Sequence, residues 1–236
     1  MADKVWLKAE LCFGSMFSYR MPDLSPSFAL ASPCPSPAAF RLALVDAAIR
    51  YACPITGRKP EDVGEEIFAK VNLQALPTEN LLFEPPQRVL VFKFFIKRIK
   101  GGEVSFGVRE YCLFDGPLNV YLFVPRNEVN EDEKLTIAWC LRRLRRLGTT
   151  DSLLFCKDVS QLDKEPPRER CFKVLNGQSK AGDPSQPIYM LNELTEEMEF
   201  RHVNPYGKGG PKFKKIGVVA PLKVKRRGEN WYLLAN

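Results

Sequence analysis

The sequence is poor in the residues on which metal and hydrolase chemistry draws. One histidine, His202, stands among 236 residues, and the seven cysteines are scattered singly. No two cysteines fall at ligand spacing, so a zinc site is not expected. A serine or cysteine hydrolase would need that single histidine as its base. Nothing marks Cys156 or Cys171 as an activated thiol, and both read as small buried hydrophobes. Neither a P-loop nor a dinucleotide fingerprint occurs, so no cofactor is expected. No apolar run approaches the ~20 residues of a bilayer span. The opening Met-Ala-Asp-Lys-Val-Trp, with Lys8 and Glu10 soon after, does not read as a signal peptide. An odd, widely spaced set of cysteines points to reduced thiols in a cytoplasm. Membrane span, disulfide scaffold and disordered tail are excluded on these grounds.

What is present is the composition of a globular domain, 45% apolar and 27% charged, with 19 prolines spread from Pro22 to Pro221. The length suits one domain over residues 1–236. Charge is unevenly placed. Residues 200–236 carry nine Lys or Arg against the single acid Glu229, a net of +8, while the other 199 residues net −1. A near-neutral body with a strongly basic end is the footprint of a polyanion partner. Ile216-Gly-Val-Val-Ala and Trp231-Tyr-Leu-Leu within that end look built to pack. The cations are therefore expected on ordered strands and not on a free tail.

Residues 4–13 alternate apolar and polar as a half-buried strand does. After a Ser- and Pro-rich loop to Ser36, residues 37–51 read as a largely buried helix with Ser36 as N-cap and Pro37 in the first turn. Asp46 and Arg50 should pair on its wet edge. A short helix is expected near 61–71. Arg88 to Ile99, the turn Lys100-Gly-Gly-Glu103 and Val104 to Tyr111 form the clearest hairpin. Phe95, Lys97 and Ile99 lie on one side of it, across from Val104, Phe106 and Val108. The aromatic run Phe92–Phe95 reads first as core and second as an interface. A strand at 118–124 precedes a helix opened by the capping pattern Asn130-Glu-Asp-Glu133 and closed by Gly148, with Arg142, Arg143, Arg145 and Arg146 on its polar side. A strand at 152–157 and a loop to about 187 lead into the basic end. This order suggests an α+β ferredoxin-like core with a hairpin insertion.

The segment Tyr206-Gly-Lys-Gly-Gly-Pro-Lys-Phe-Lys-Lys-Ile-Gly217 combines the features of an RNA cradle. Glycines let backbone N–H groups approach phosphates, lysines supply charge, and aromatic faces offer stacking surfaces.

Three patches carry a resemblance. Ser32-Pro-Cys-Pro-Ser-Pro through Ile49 looks like a proline-rich entry and first helix. Val108-Arg-Glu-Tyr-Cys-Leu-Phe-Asp115 with 118–124 resembles an Arg-Glu-Tyr strand after a thumb. Leu144-Arg-Arg-Leu-Gly-Thr-Thr-Asp-Ser resembles a helix end and Leu-Gly turn. Together they resemble the RAMP superfamily of CRISPR systems, and within it the family of the Cascade subunit that caps the 5′ handle of the guide RNA. The resemblance implies a ferredoxin-like (RRM-like) RAMP fold with a β-hairpin thumb within about 75–112 and a basic Gly-rich loop at about 206–217. It implies crRNA binding by Lys97, Arg98, Lys100, Phe106 and Arg109 on the thumb, and by Tyr206, Lys208, Gly209, Gly210, Lys212, Lys214 and Lys215 on the loop. The implied partners are the crRNA 5′ handle, the backbone and large subunits of the effector complex and, indirectly, target DNA, with no membrane and no metal.

Some family members cut precursor RNA with a Tyr and an adjacent Lys-His pair. Tyr51 falls near that Tyr, but this chain has no Lys-His dipeptide, so a binding subunit is expected and not a nuclease. The alternatives are a metal-independent endoribonuclease using Tyr51 and His202, and an interaction scaffold without RNA.

Overall fold

A computed structural model describes residues 3–24, 28–100, 103–129, 134–175, 183, 185–203, 210 and 212–236, with the side chains of 98 and 100 excepted. The chain is mixed α+β. Strand β1 (Lys4–Phe13) leads through a loop holding β2 (Phe28–Ala29) into helix α1 (Pro37–Thr56). The Ser36 side chain accepts the Ala39 N–H at 3.0 Å, and Pro37 sits at the start of the helix, where no intrahelical donor is lost. The helix runs five residues past the expected Tyr51 and ends on Gly57 in the left-handed region, φ 68°. Arg50 and Asp46 pair at 2.7 Å on its exposed side, as expected.

Helix α2 (Pro60–Val71) matches the expected short helix. Strands β3 (Leu81–Glu84), β4 (Arg88–Lys100), β5 (Glu103–Phe114) and β6 (Leu118–Pro125) follow, then α3 (Ile137–Arg142) and β7 (Leu154–Leu162). The chain closes with β8 (Lys173–Val174), β9 (Ile188–Leu194), α4 (Phe200–Val203), β10 (Phe213–Val219), β11 (Lys223–Arg227) and β12 (Trp231–Ala235). The basic end is thus strand-borne, as its apolar stretches suggested.

Four strands form an antiparallel sheet in the order β3-β6-β1-β7. Leu7, Ala9 and Leu11 of the central β1 are fully buried on one face, against Phe40, Leu44 and Ala48 of α1 and Ile137 and Leu141 of α3. Burying a Leu or Phe side chain stabilises by about 1.5–3 kcal/mol, so this layer holds the body of the domain together. Trp6, Leu82 and Tyr121 pack on the opposite face beneath Cys171. β3 was missed from sequence because it is four residues long and bounded by prolines. Its presence moves residues 81–84 into the main sheet and leaves the hairpin itself at 88–114.

Helix α3 corrects the sequence reading. The Thr136 hydroxyl accepts the Trp139 N–H at 3.2 Å, so the helix begins there, and it ends at Arg142. Asn130–Glu133 lie outside the described residues. Arg145 and Arg146 stand beyond the helix, Arg146 bridging to Leu153. Gly148 is a turn residue, not the helix stop, with φ 93° and a Cβ position only 2.6 Å from the Ser18 carbonyl oxygen. No other residue type fits there without strain.

A three-stranded sheet, β8-β10-β9, is tied to α1 by a buried ion pair. The Arg41 guanidinium donates to both Glu193 oxygens, at 3.0 and 2.9 Å, and to the carbonyls of Val71 and Leu76. Both side chains are fully buried. The third sheet has the order β11-β12-β4-β5-β2 and carries the hairpin.

Candidate nucleic-acid interface

Successive residues of a strand point to opposite faces, so the register of the five-stranded sheet decides which side chains share a surface. The observed register pairs Phe95 with Val108, Lys97 with Phe106 and Ile99 with Val104, as the position of the turn had suggested. Phe28 of β2 stands opposite Val108 and extends the first of these rows. Toward the body of the domain the same face continues as Lys93 opposite Glu110, then Arg227, Tyr232, Val91 and Cys112 in line.

The character of this face changes along its length. Val91 and Cys112 are core residues, whereas Phe95 is 71% and Phe106 69% exposed. Cations recur at Arg227, Lys93 and Lys97, and aromatic rings at Tyr232, Phe95, Phe28 and Phe106. Lys93 and Lys97 are four residues apart on an extended strand, about 13 Å. Exposed rings interleaved with cations form a surface suited to a single nucleic-acid strand, with bases stacked on the rings and phosphates near the cations. The reading of Phe92–Phe95 as core is therefore corrected for Phe94 and Phe95, both exposed. β12 pairs with β4 only as far as Phe92, so among the described residues no strand but β5 pairs with β4 at Phe94 and Phe95.

The residues expected to bind RNA are only partly brought together. Lys97 and Phe106 are direct cross-strand neighbours on the exposed face. Arg109 is half-buried opposite Phe94, on the reverse face of the sheet, because its position differs from that of Phe106 by an odd number. Arg98 and Lys100 belong to β4 by backbone, opposite Ser105 and Glu103, and their side chains lie outside the described residues. Tyr206, Lys208 and Gly209 also lie outside them. Gly210 is exposed, with open space where a Cβ would stand.

Three lysines of the basic segment diverge. Lys212 pairs with Glu197 at 3.5 Å, Lys215 pairs with Asp23, and Lys214 lines a groove with Ile216, Thr78 and Arg168. That groove, about 850 Å³, lies between β3 and β8 and also carries Lys173, Glu79 and Glu169. Lys93, Arg227 and Phe28 are the interface residues that sequence reasoning missed. Lys93 lies on β4 in line with Lys97, whereas Arg227 and Phe28 reach the hairpin face only through pairing between strands far apart in the chain. The one signal for Arg227 was the cationic run in which it sits.

Along β11, Lys225, Arg226 and Arg227 are exposed on a sheet edge. Edge cations also discourage strand addition by another chain, which gives this run a second physical use.

The groups suggested for a nuclease sit in unlike surroundings. The Tyr51 ring faces the Arg145 guanidinium at 5.9 Å. His202 accepts the Glu199 N–H on its Nδ1 at 3.1 Å, near the start of α4. Burial pushes the Cys140 and Cys171 thiols up to about 12 and the Cys156 thiol to about 11, so these three are not ready thiolates at neutral pH. Among the described residues no cluster of His, Cys, Asp and Glu could hold a metal ion, and no helix is long and apolar enough to cross a membrane.

No protein-family model matches the chain. Among curated proteins, it is 32% identical over 242 residues to the CRISPR-associated protein Cas5 of Archaeoglobus fulgidus, covering 97% of this chain and 97% of that protein. Among solved structures, a CRISPR protein from Archaeoglobus fulgidus aligns at a TM-score of 0.43 and 14% identity, over 98% of this chain and 91% of that one. A chain of a CRISPR RNA-guided surveillance complex aligns at 0.38 and 12%, over 92% and 88%. The sequence match places this protein among the CRISPR-associated proteins. The chain belongs to the Cas5 family.

Proposed function

We propose that this protein is a non-catalytic, crRNA-binding subunit of a type I CRISPR effector complex of the Cascade kind. In this reading it acts in the cytoplasm and grips the 5′ handle of the guide RNA beside the backbone and large subunits, serving DNA targeting indirectly. The observation that carries the reading is the single face of the five-stranded sheet on which Arg227, Lys93 and Lys97 alternate with exposed Phe95, Phe28 and Phe106. Membership of the Cas5 family supports assigning that face to a CRISPR guide and not to RNA at large.

The fold reading follows the same line. The chain order β1, α1, β3, β6, α3, β7 and the sheet order β3-β6-β1-β7 support a ferredoxin-like (RRM-like) domain. Strands β4 and β5, which fall between β3 and β6 in the chain, are then its inserted thumb. The lone histidine and the separate surroundings of Tyr51 and His202 favour binding over cleavage.

The test is to co-purify the tagged protein from its host and sequence the short RNA retained after a moderate salt wash. Guides sharing one 5′ end are expected. A random cellular mixture, or no RNA, would refute the proposal. In vitro, Lys97→Ala should lower the slope of log K against log salt by about 0.7, the share of one phosphate contact on a single strand. An unchanged slope would remove Lys97 from the interface.

A further inference from the structure

At the base of the hairpin face the sheet dips into a half-open cavity of about 290 Å³. Lys93, Glu110, Tyr189, Arg227, Trp231 and Tyr232 line it. Trp231 forms one wall by folding its indole over the β11–β12 turn, where a Cβ on Gly228 would stand 2.3 Å from the ring nitrogen. Tyr232 forms another, with the Lys93 ammonium 5.9 Å from its ring centre.

The polar groups in this cavity have unused hydrogen-bonding capacity. Glu110 is 3% exposed, and its Oε2 accepts the Ala31 N–H at 3.1 Å. Its Oε1 has the Lys93 ammonium 3.8 Å away, beyond hydrogen-bond range, so an acceptor site remains open there. The Tyr189 hydroxyl, in a residue 5% exposed, has the Tyr232 phenol beside it but makes no well-formed hydrogen bond. Buried polar atoms of this kind ordinarily have partners. Burial also holds the Tyr189 and Tyr232 phenols in their neutral form, able to donate.

We infer that this cavity receives one guanine of the bound strand, turned out of the stack, with its N1–H and N2–H groups donating to Glu110. The inference rests on the RNA-binding reading of the hairpin face and deepens it from a track to a base-selective site. The volume is small, at the lower limit for ligand pockets, and suits a single planar heterocycle better than a larger cofactor. Tyr232 and Trp231 supply flat surfaces, and Arg227 and Lys93 lie at the rim where a strand's phosphates would pass. Guanine alone among the four bases presents two adjacent N–H donors on its pairing edge, the complement of a carboxylate. Uracil presents one, flanked by carbonyl oxygens that a carboxylate repels.

The test compares an all-uridine RNA octamer with octamers carrying one guanosine, one inosine or one adenosine, by direct binding to the full chain. The guanosine octamer should bind about tenfold more tightly than the all-uridine one, the strength of one hydrogen-bonded contact to a charged group. Inosine, which lacks the N2 amino group, should lose most of that preference. Glu110→Gln should reduce the guanosine preference below threefold. Equal binding of all octamers, or of guanosine and inosine, would overturn the inference without any variant having to fold. A preference preserved in Glu110→Gln would do the same. Failure of every octamer to bind would instead refute the RNA-binding reading on which it rests.

Discussion

Replacing Arg41 by methionine tests how the β8-β10-β9 sheet is held against α1. The Arg41 guanidinium is fully buried and meets both oxygens of Glu193, with Val71 and Leu76 offering it their carbonyls at 2.7 and 2.6 Å. In Arg41→Met the Glu193 carboxylate keeps the Thr78 hydroxyl at 2.9 Å and the Leu194 N–H at 2.8 Å but loses its counter-charge. Removing one partner of a buried pair costs about 3–5 kcal/mol. That is a large share of the roughly 5–15 kcal/mol by which native domains are stable. At this chain length each kcal/mol moves the melting temperature by about 2–4 °C, so a fall of roughly 6–20 °C is expected. Urea unfolding followed by circular dichroism gives the free energy directly. The double variant Arg41→Met with Glu193→Leu removes the stranded charge and should recover part of the loss. A single variant within about 1 kcal/mol of the parent, or a double variant no better than the single, would refute the reasoning.

Other expectations follow from the same geometry. Phe106→Ala should weaken RNA binding by about 1–3 kcal/mol, the range for one stacked base, without moving the urea midpoint, since the ring is exposed; a shifted midpoint would mark it as a packing residue instead. Gly148→Ala should cost about 1–3 kcal/mol in a thermal melt, because a Cβ at φ 93° meets the Ser18 carbonyl, and an unchanged melt would contradict that contact. Burial raises the Glu110 carboxyl above its ordinary range, opposed by the Ala31 N–H and Lys93. The folded chain then binds that proton more readily than the unfolded one. Its contribution to stability is therefore full below the unfolded value of about 4.3 and is lost as pH rises through the folded one. The parent should gain stability relative to Glu110→Gln between pH 7.5 and 4.5, and parallel urea midpoints would count against it.

Local patterns carried much of the fold. The alternation of residues 4–13, the Ser36-Pro37 start of α1 and the two-glycine turn after Lys100 each fix an element within a few residues, so β1, the start of α1 and the hairpin register were all legible. Local patterns also misled. The Asn130-Glu-Asp-Glu133 pattern suggested the start of the helix, while α3 begins on the Thr136 cap, whose own sequence context is unremarkable for a helix start. Arg41 drew no reading of its own from the sequence, because its partner, Glu193, lies 152 residues away. The candidate interface divides in the same manner. Lys97 and Phe106 follow from one turn, whereas Lys93, Arg227 and Trp231 converge only once β12 has paired with β4.

The hairpin described above is not supported along its whole length. β12 reaches β4 only as far as Phe92, with Asn230 accepting the Lys93 N–H, and β2 reaches β5 at Val108 and Arg109. Beyond the Phe95–Val108 row, five cross-strand rows from Ile96–Gly107 to Lys100–Glu103 have no third strand among the described residues. An unaccompanied ribbon of two strands twists more strongly than a wide sheet and is marginal in water. Its amides should exchange with solvent well before those of the rows beneath it, giving a gradient of protection that steepens at Phe95. A strand of RNA or a neighbouring subunit laid along the ribbon would meet a surface whose twist can still adjust. Part of the binding free energy would then go into setting that twist, and slowed exchange from Ile96 to Lys100 would record it.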